Sequence, residues 1–164
     1  MLKATSYLVE LTKIVVGLAP IVPSSSTPQR VTLKNKAHIS IVISQLNAAS
    51  GMTGSAITLL QSTTIAGGGE KALAFTQAWR NLDISASDTL VNFAVASNTF
   101  TTDATASKQS LYVIEVNVTD LDINNGFRVI RAGTANATNS TVSVIYILWP
   151  DFYTRSTLPS AILD

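Results

Sequence analysis

After residue 30, apolar and polar residues alternate in short runs, which is the pattern of β-strands that bury one face. In the run 111–118, alternate residues would lie on opposite faces: Tyr112, Ile114, Val116 and Val118 on one, and Leu111, Val113, Glu115 and Asn117 on the other. The run 38–46 is rich in β-branched residues and is predicted to be a largely buried strand. The predicted strands are 31–34, 38–46, 56–64, 73–79, 89–96, 99–101, 111–118, 127–131 and 142–149.

Glycine-rich and polar segments separate these runs. We expect 47–55 to be the hairpin loop between two paired strands, 66–70 to be a flexible turn, and 119–126 to be a turn. Long helical patterns for parallel crossovers are missing, and no repeat of 20–50 residues recurs. The sequence therefore predicts an all-β protein, an antiparallel, jelly-roll-like β-sandwich of about eight strands.

The ends of the chain differ from this middle part. Residues 1–22 resemble an extended arm whose apolar spacing fits a helical face, whereas the β-branched run 14–16 favours a strand. Both structures remain open at this point. A polar Pro/Ser break follows at 23–29, so we divide the chain into an N-terminal arm and linker (1–30), a sandwich domain (31–149) and a C-terminal tail (150–164).

The apolar N-terminus lacks the features of a targeting segment. Glu10 and Lys13 interrupt it, and Gly17 and Pro20 break the stretch that follows. No window reaches the ~18 apolar residues of a membrane-spanning helix. We expect a soluble, unprocessed product that makes no membrane contact.

Composition narrows the classes of function. Charged residues form 13% of the 164-residue chain, against about 25% in an average soluble domain. The net charge of +1 gives no electrostatic basis for nucleic-acid binding, and the absence of cysteine excludes disulfides and thiolate zinc sites. Low charge suits a surface that partner subunits cover, and it equally suits a threonine-rich β-domain that acts alone.

The sequence gives little support for a catalytic function. The only histidine, His38, begins a predicted strand, and the nucleophile pattern G-x-S-x-G is absent. The segment 67–71 (GGGEK) has Glu where a phosphate-binding loop needs Lys followed by Ser or Thr. We therefore expect no enzymatic activity and no cofactor.

One segment carries oxygen ligands at alternate positions, as the start of a calcium loop does: Asp120, Asp122 and Asn124. Its glycine, Gly126, comes one place late, and Arg131 occupies the position of the bidentate Glu. These three residues are weak metal-ligand candidates, and we expect the segment to be a packed turn.

Four aromatic residues could form a platform on which a sugar stacks: Trp79, Trp149, Phe152 and Tyr153. Trp149 ends an apolar strand, however, so a contact with the core or with another subunit is the preferred interpretation for it.

As a whole, the chain resembles small virion structural proteins of tailed bacteriophages. The segments that carry the resemblance are KIVVGLAPIV (13–22), VTLKNKA (31–37), TGSAITLLQS (53–62), GEKALAF (69–75), ASDTL (86–90), FTTDA (100–104), YVIEV (112–116), LDINNGF (121–127) and LPSAI (158–162). None of them is a catalytic signature, because they consist of packing and turn residues.

The resemblance implies a capsid decoration, or cement, protein. Such a protein is made in the cytoplasm of the host bacterium, binds the exterior of the capsid, commonly as a homotrimer, and clamps the major capsid protein without catalysis. The alternative that it leaves open is a receptor- or carbohydrate-binding module on a tail or fibre.

Arms suit a clamp, because a segment that orders on binding can wrap around a neighbour. The expected contact residues lie at the two ends of the chain: Tyr7, Leu8, Leu11 and Ile14 at one, and Trp149, Phe152, Tyr153 and Leu158 at the other. The competing interpretation is that both ends fold back onto their own sandwich.

Overall fold

The computed structural model describes residues 7–23, 28–150 and 162. Within these ranges the regular secondary structure is almost entirely β-strand. The elements are α1 (Leu8–Leu11), β1 (Lys13–Ile21), β2 (Val31–Thr32), β3 (Lys36–Asn47), β4 (Ala56–Ser62), β5 (Lys71–Ala72), β6 (Gln77–Asn81), β7 (Val91–Ala94), β8 (Thr99–Thr101), β9 (Gln109–Asn117), β10 (Val129–Thr134) and β11 (Ser140–Pro150), with 3₁₀ turns at Val118–Asp120 and Ile123–Asn125. No helix in the described ranges has the length and apolar content needed to span a membrane.

The strands form two sheets in which every ladder is antiparallel. Sheet A has the order β1-β11-β3-β9-β6-β7. Sheet B has the order β2-β10-β4-β5, and β8 pairs with a second part of β4. The predicted antiparallel β-sandwich is confirmed, whereas its jelly-roll connectivity stays a prediction.

The expected hairpin around 47–55 is wrong. β3 lies in sheet A and β4 in sheet B, so this segment crosses between the sheets. Gly54 allows the crossing, because a Cβ at that position would come within 2.1 Å of the carbonyl oxygen of Thr102. The alternation of apolar and polar residues indicates which residues face the core, but it does not indicate which strands pair. The hairpin was therefore predicted wrongly.

The N-terminal segment contains both of the structures that the sequence left open. One helical turn, α1, precedes β1, and β1 pairs with β11 from Lys13 to Ile21 along the edge of sheet A. The β-branched residues 14–16 lie in the strand, where their restricted side chains are favoured. Residues 13–21 therefore fold back onto their own sandwich.

The core lies between the two sheets. It is built largely from alternate residues of the longer strands, among them Ile39, Ile41 and Ile43 of β3 and Ile57 and Leu59 of β4, all fully buried. Burying each of these side chains stabilises the fold by about 1.5–3 kcal/mol. The remaining residues of the sheet A strands face outward, and that outer face holds the surfaces described next.

Candidate binding surfaces

A row of apolar side chains crosses the outer face of sheet A. Its members come from five adjacent strands, and each is the cross-strand partner of the next. In strand order the apolar row consists of Val16, Ile145, Val42, Val113 and Trp79. Paired residues of antiparallel strands project to the same side of a sheet, so the five form a continuous band.

The surroundings of the apolar row carry little charge. Ile14 and Ile147 form the adjacent pair on β1 and β11, and Ile14 is 41% exposed. Among the outward positions of β3, β9 and β11, Glu115 is the only Asp, Glu, Lys or Arg. Contiguous apolar surface of this kind is typical of protein–protein contact sites.

A polar network borders the apolar row on the side of Trp149. Nε2 of His38 contacts Oε2 of Glu115, and the Ser40 hydroxyl donates to the same oxygen over 2.7 Å. Nδ1 of His38 lies 3.0 Å from Oδ1 of Asn117, and the indole N–H of Trp149 donates to Ser40 over 3.1 Å. Because Ser40 bonds to the carboxylate and not to the imidazole, the network lacks the Ser–His pair of a hydrolase.

The predicted strand 73–79 is interrupted, and the interruption creates a groove. Leu73 is buried in the core and donates its backbone N–H to Leu59 of sheet B, after which the chain crosses to sheet A. β6 then pairs with β9 only over the three residues Leu111–Val113. Beyond Val113 the two strands separate, and this leaves a groove of about 490 Å³.

The groove has an apolar part, formed by Leu73, Ala74, Phe75 and Val116, and its other lining residues are five polar side chains and one tryptophan. They are Thr76, Gln77, Trp79, Glu115, Asn117 and Asp120. Oδ2 of Asp120 accepts the backbone N–H of Asn117 over 2.8 Å, just as Oε2 of Glu115 is held by His38 and Ser40. The second carboxylate oxygen of each has no hydrogen-bond partner among the described residues.

The weak metal candidates have separate partners. Asp120 caps the turn that follows β9, whereas Asp122 accepts hydrogen bonds from Lys71 Nζ at 2.5 Å and Asn125 Nδ2 at 2.9 Å. The hydrogen bond from Lys71, and then that from Asn125, hold the pKa of Asp122 below its ordinary value. Asn124 is exposed in the second 3₁₀ turn. In the described ranges, no three His, Cys, Asp or Glu residues group as metal ligands.

The segment 67–71 is held in place through the side chain of Glu70. Glu70 accepts hydrogen bonds from Arg30, at 2.9 and 2.7 Å, and from Arg131. Burial alone would raise the pKa of Glu70, but the two guanidinium groups outweigh it and hold that pKa below its ordinary value. Glu70 thus anchors the turn that the sequence predicted to be flexible.

Four of the five predicted contact residues that the structure describes are exposed, and the fifth is half-buried. Tyr7 is 69% and Leu8 47% exposed on α1, which buries no residue, and Leu11 is half-buried. Ile14 and Trp149 face outward from sheet A beside the apolar row. The other three, Phe152, Tyr153 and Leu158, lie outside the described residues.

Sequence reasoning missed most of both surfaces. Val16, Val42 and Ile145 were noted only as members of apolar segments, and Gln77 was not noted at all. The available signal was the presence of apolar residues on both faces of runs such as 142–149, which exceeds what one buried face requires. Their alignment into a row depends on strand register, which no single run contains.

Comparisons with known proteins give a structural similarity and no family. No family model and no curated protein matches this chain. The structure is similar to the crystal structure of SPBc2 prophage-derived protein YomS, with a TM-score of 0.48 and 12% sequence identity. The match covers 84% of this chain and 91% of that one. At this level the similarity concerns the β-sandwich alone.

Proposed function

We propose that this chain is a bacteriophage virion protein that decorates the capsid exterior and stabilises the head through non-covalent contacts. The apolar row is the observation that carries the proposal. The band from Val16 to Trp79 faces away from the core, so its apolar side chains are available to a partner. The resemblance to virion structural proteins and the low charge support the same assignment.

The apolar row suits a clamp for an energetic reason. Fully burying a Val or Ile side chain contributes about 1.5–3 kcal/mol before the costs of association are subtracted. Each contact is modest, yet a decoration protein repeats it over the whole shell, and multivalency raises the total without new chemistry. Its partner in this proposal is the major capsid protein, and the trimer is the expected oligomer.

The test compares two substitutions on the same strand. Val42→Lys places a charge in the middle of the apolar row, and Ser44→Lys places the same charge two residues away on the same outer face. Both face away from the core, so both variants should fold. We expect Val42→Lys to lower binding to undecorated heads at least tenfold and Ser44→Lys to lower it much less. Co-sedimentation with purified heads measures this.

Copy number distinguishes decoration from the alternative. Gel densitometry of purified particles should show hundreds of copies in near-fixed ratio to the major capsid protein. A count near a dozen would place the protein on the tail or a fibre. In the binding experiment, equal binding by both lysine variants would show that the apolar row does not contact the capsid.

A further inference from the structure

We propose that the groove between β6 and β9 is a binding site for a neutral saccharide. The groove lies at the end of the apolar row, and Trp79 belongs to both. The inference goes beyond capsid attachment, since it concerns a second ligand of different chemistry.

The first argument is the combination of a ring and hydrogen-bonding groups. Trp79 supplies an apolar surface against which the C–H face of a pyranose can pack, as aromatic rings do in mixed polar and apolar sites. Beside it, Gln77 and Asn117 carry amides and Thr76 a hydroxyl, which both donate and accept hydrogen bonds. Adjacent sugar hydroxyls need that alternation of donors and acceptors.

The second argument is that the acceptors are held in place before a ligand binds. His38 and Ser40 fix one oxygen of Glu115, and the backbone N–H of Asn117 fixes one oxygen of Asp120. The other oxygen of each is left free by the described residues. Preorganised groups lose little conformational entropy on binding, so they favour a ligand whose hydroxyls donate to carboxylates.

The third argument is charge. The lining holds two carboxylates, Glu115 and Asp120, and no Lys or Arg among the described lining residues. An acidic sugar would be repelled by both groups, so the groove selects neutral units such as hexoses and N-acetylhexosamines. A divalent cation is disfavoured, because no three acidic, His or Cys residues group there in the described ranges.

The experiment uses Trp79 as its own reporter. The chain has two tryptophans, and Trp149→Phe leaves Trp79 as the single indole. The full-length variant is titrated with N-acetylglucosamine tetramer, maltohexaose and oligogalacturonate while tryptophan emission is recorded. We expect a saturable change with at least one neutral oligomer and none with oligogalacturonate.

Substitutions then locate the site. In the chain that retains Trp149, Gln77→Ala and Trp79→Ala should each weaken retention on the immobilised neutral oligomer, the latter at least tenfold. Thr141→Ala, an outward position on β11, should leave retention unchanged. The Gln77 side chain is exposed and has no hydrogen-bond partner among the described residues, so its replacement tests the site without threatening the fold.

The proposal would be overturned by no saturable change with either neutral oligomer, by a preference for oligogalacturonate, or by full retention by both groove variants. Binding of a capsid-derived peptide in the groove, in place of a sugar, would also overturn the proposal. Gln77→Ala should still bind heads, so failure of the saccharide site and failure of the decoration role give different results.

Discussion

Gly17 of β1 lies directly over the ring of Tyr146, its neighbour in β11. A Cβ placed on Gly17 would lie 2.3 Å from Cε2 of that ring, closer than real Cβ atoms approach. The ladder between the two strands shifts register between Val16 and Leu18, so the backbone around Gly17 is already irregular. The lack of a side chain at Gly17 lets the edge strand pass over Tyr146. The Tyr146 hydroxyl accepts a hydrogen bond from the backbone N–H of Ala132 at 3.0 Å and donates one to the backbone carbonyl oxygen of Gln29 at 3.1 Å.

We predict that Gly17→Ala lowers the free energy of unfolding by about 1–3 kcal/mol, because the new methyl group must displace a packed ring. Gly133→Ala is the matched control, since a Cβ there meets nothing closer than 3.5 Å. Urea unfolding followed by near-UV circular dichroism measures both. Equal stability of the two variants would show that β1 accommodates the added methyl group without loss of stability.

Tyr146 should govern stability in alkali. Burial raises its pKa to about 12, even though the hydrogen bond from Ala132 acts in the opposite direction. In the unfolded chain the tyrosine hydroxyl ionises near pH 10. The contribution of Tyr146 to the free energy of unfolding is therefore complete below pH 10 and is lost between pH 10 and 12, for a total of ~3 kcal/mol.

Tyr146→Phe tests this dependence. The variant should be less stable at pH 8 by about 1–3 kcal/mol, because Ala132 N–H loses its acceptor in the core. Its stability should then fall less steeply than that of the native chain between pH 10 and 12. Parallel slopes in urea unfolding across this range would contradict the prediction.

Glu70 should govern stability in acid. Its pKa is lowered in the folded chain, so its contribution is present above the unfolded value near 4.5 and is lost as the pH falls through the folded value. Glu70→Gln should cost about 1–3 kcal/mol at pH 7, since two arginines lose a charged acceptor. The difference between the two proteins should shrink as the pH approaches 2, and thermal unfolding at several pH values checks it.

The exposed helical turn α1 should matter for assembly and not for folding. Tyr7→Ser combined with Leu8→Ser removes two apolar side chains that α1 leaves exposed. We expect unchanged unfolding but weaker assembly of the proposed trimer, whose mass would be about 52 kDa for three chains of 17.4 kDa. Sedimentation equilibrium of both proteins measures the mass, and equal assembly of the native chain and the double variant would exclude α1 from the contact.

The side of each strand that faces the core could be predicted from the sequence with good accuracy. The assignment of Tyr112, Ile114 and Val116 to one side of a strand is confirmed, since all three are buried. The hairpin at 47–55 and the continuous strand 73–79 were wrong because pairing and crossing depend on residues far away in the chain. Gly54 against Thr102 and Leu73 against Leu59 are two such contacts.

The amino-acid order alone thus established the β class, the buried faces and the low-charge character of this chain, because these follow from local alternation and composition. The apolar row, the groove and the Glu70 pairing came only from the fold. Val16 and Trp79 stand 63 residues apart in the chain, and Glu70 is 40 residues from Arg30. Strand order and register bring such residues together, and both are properties of the packed sheets as a whole.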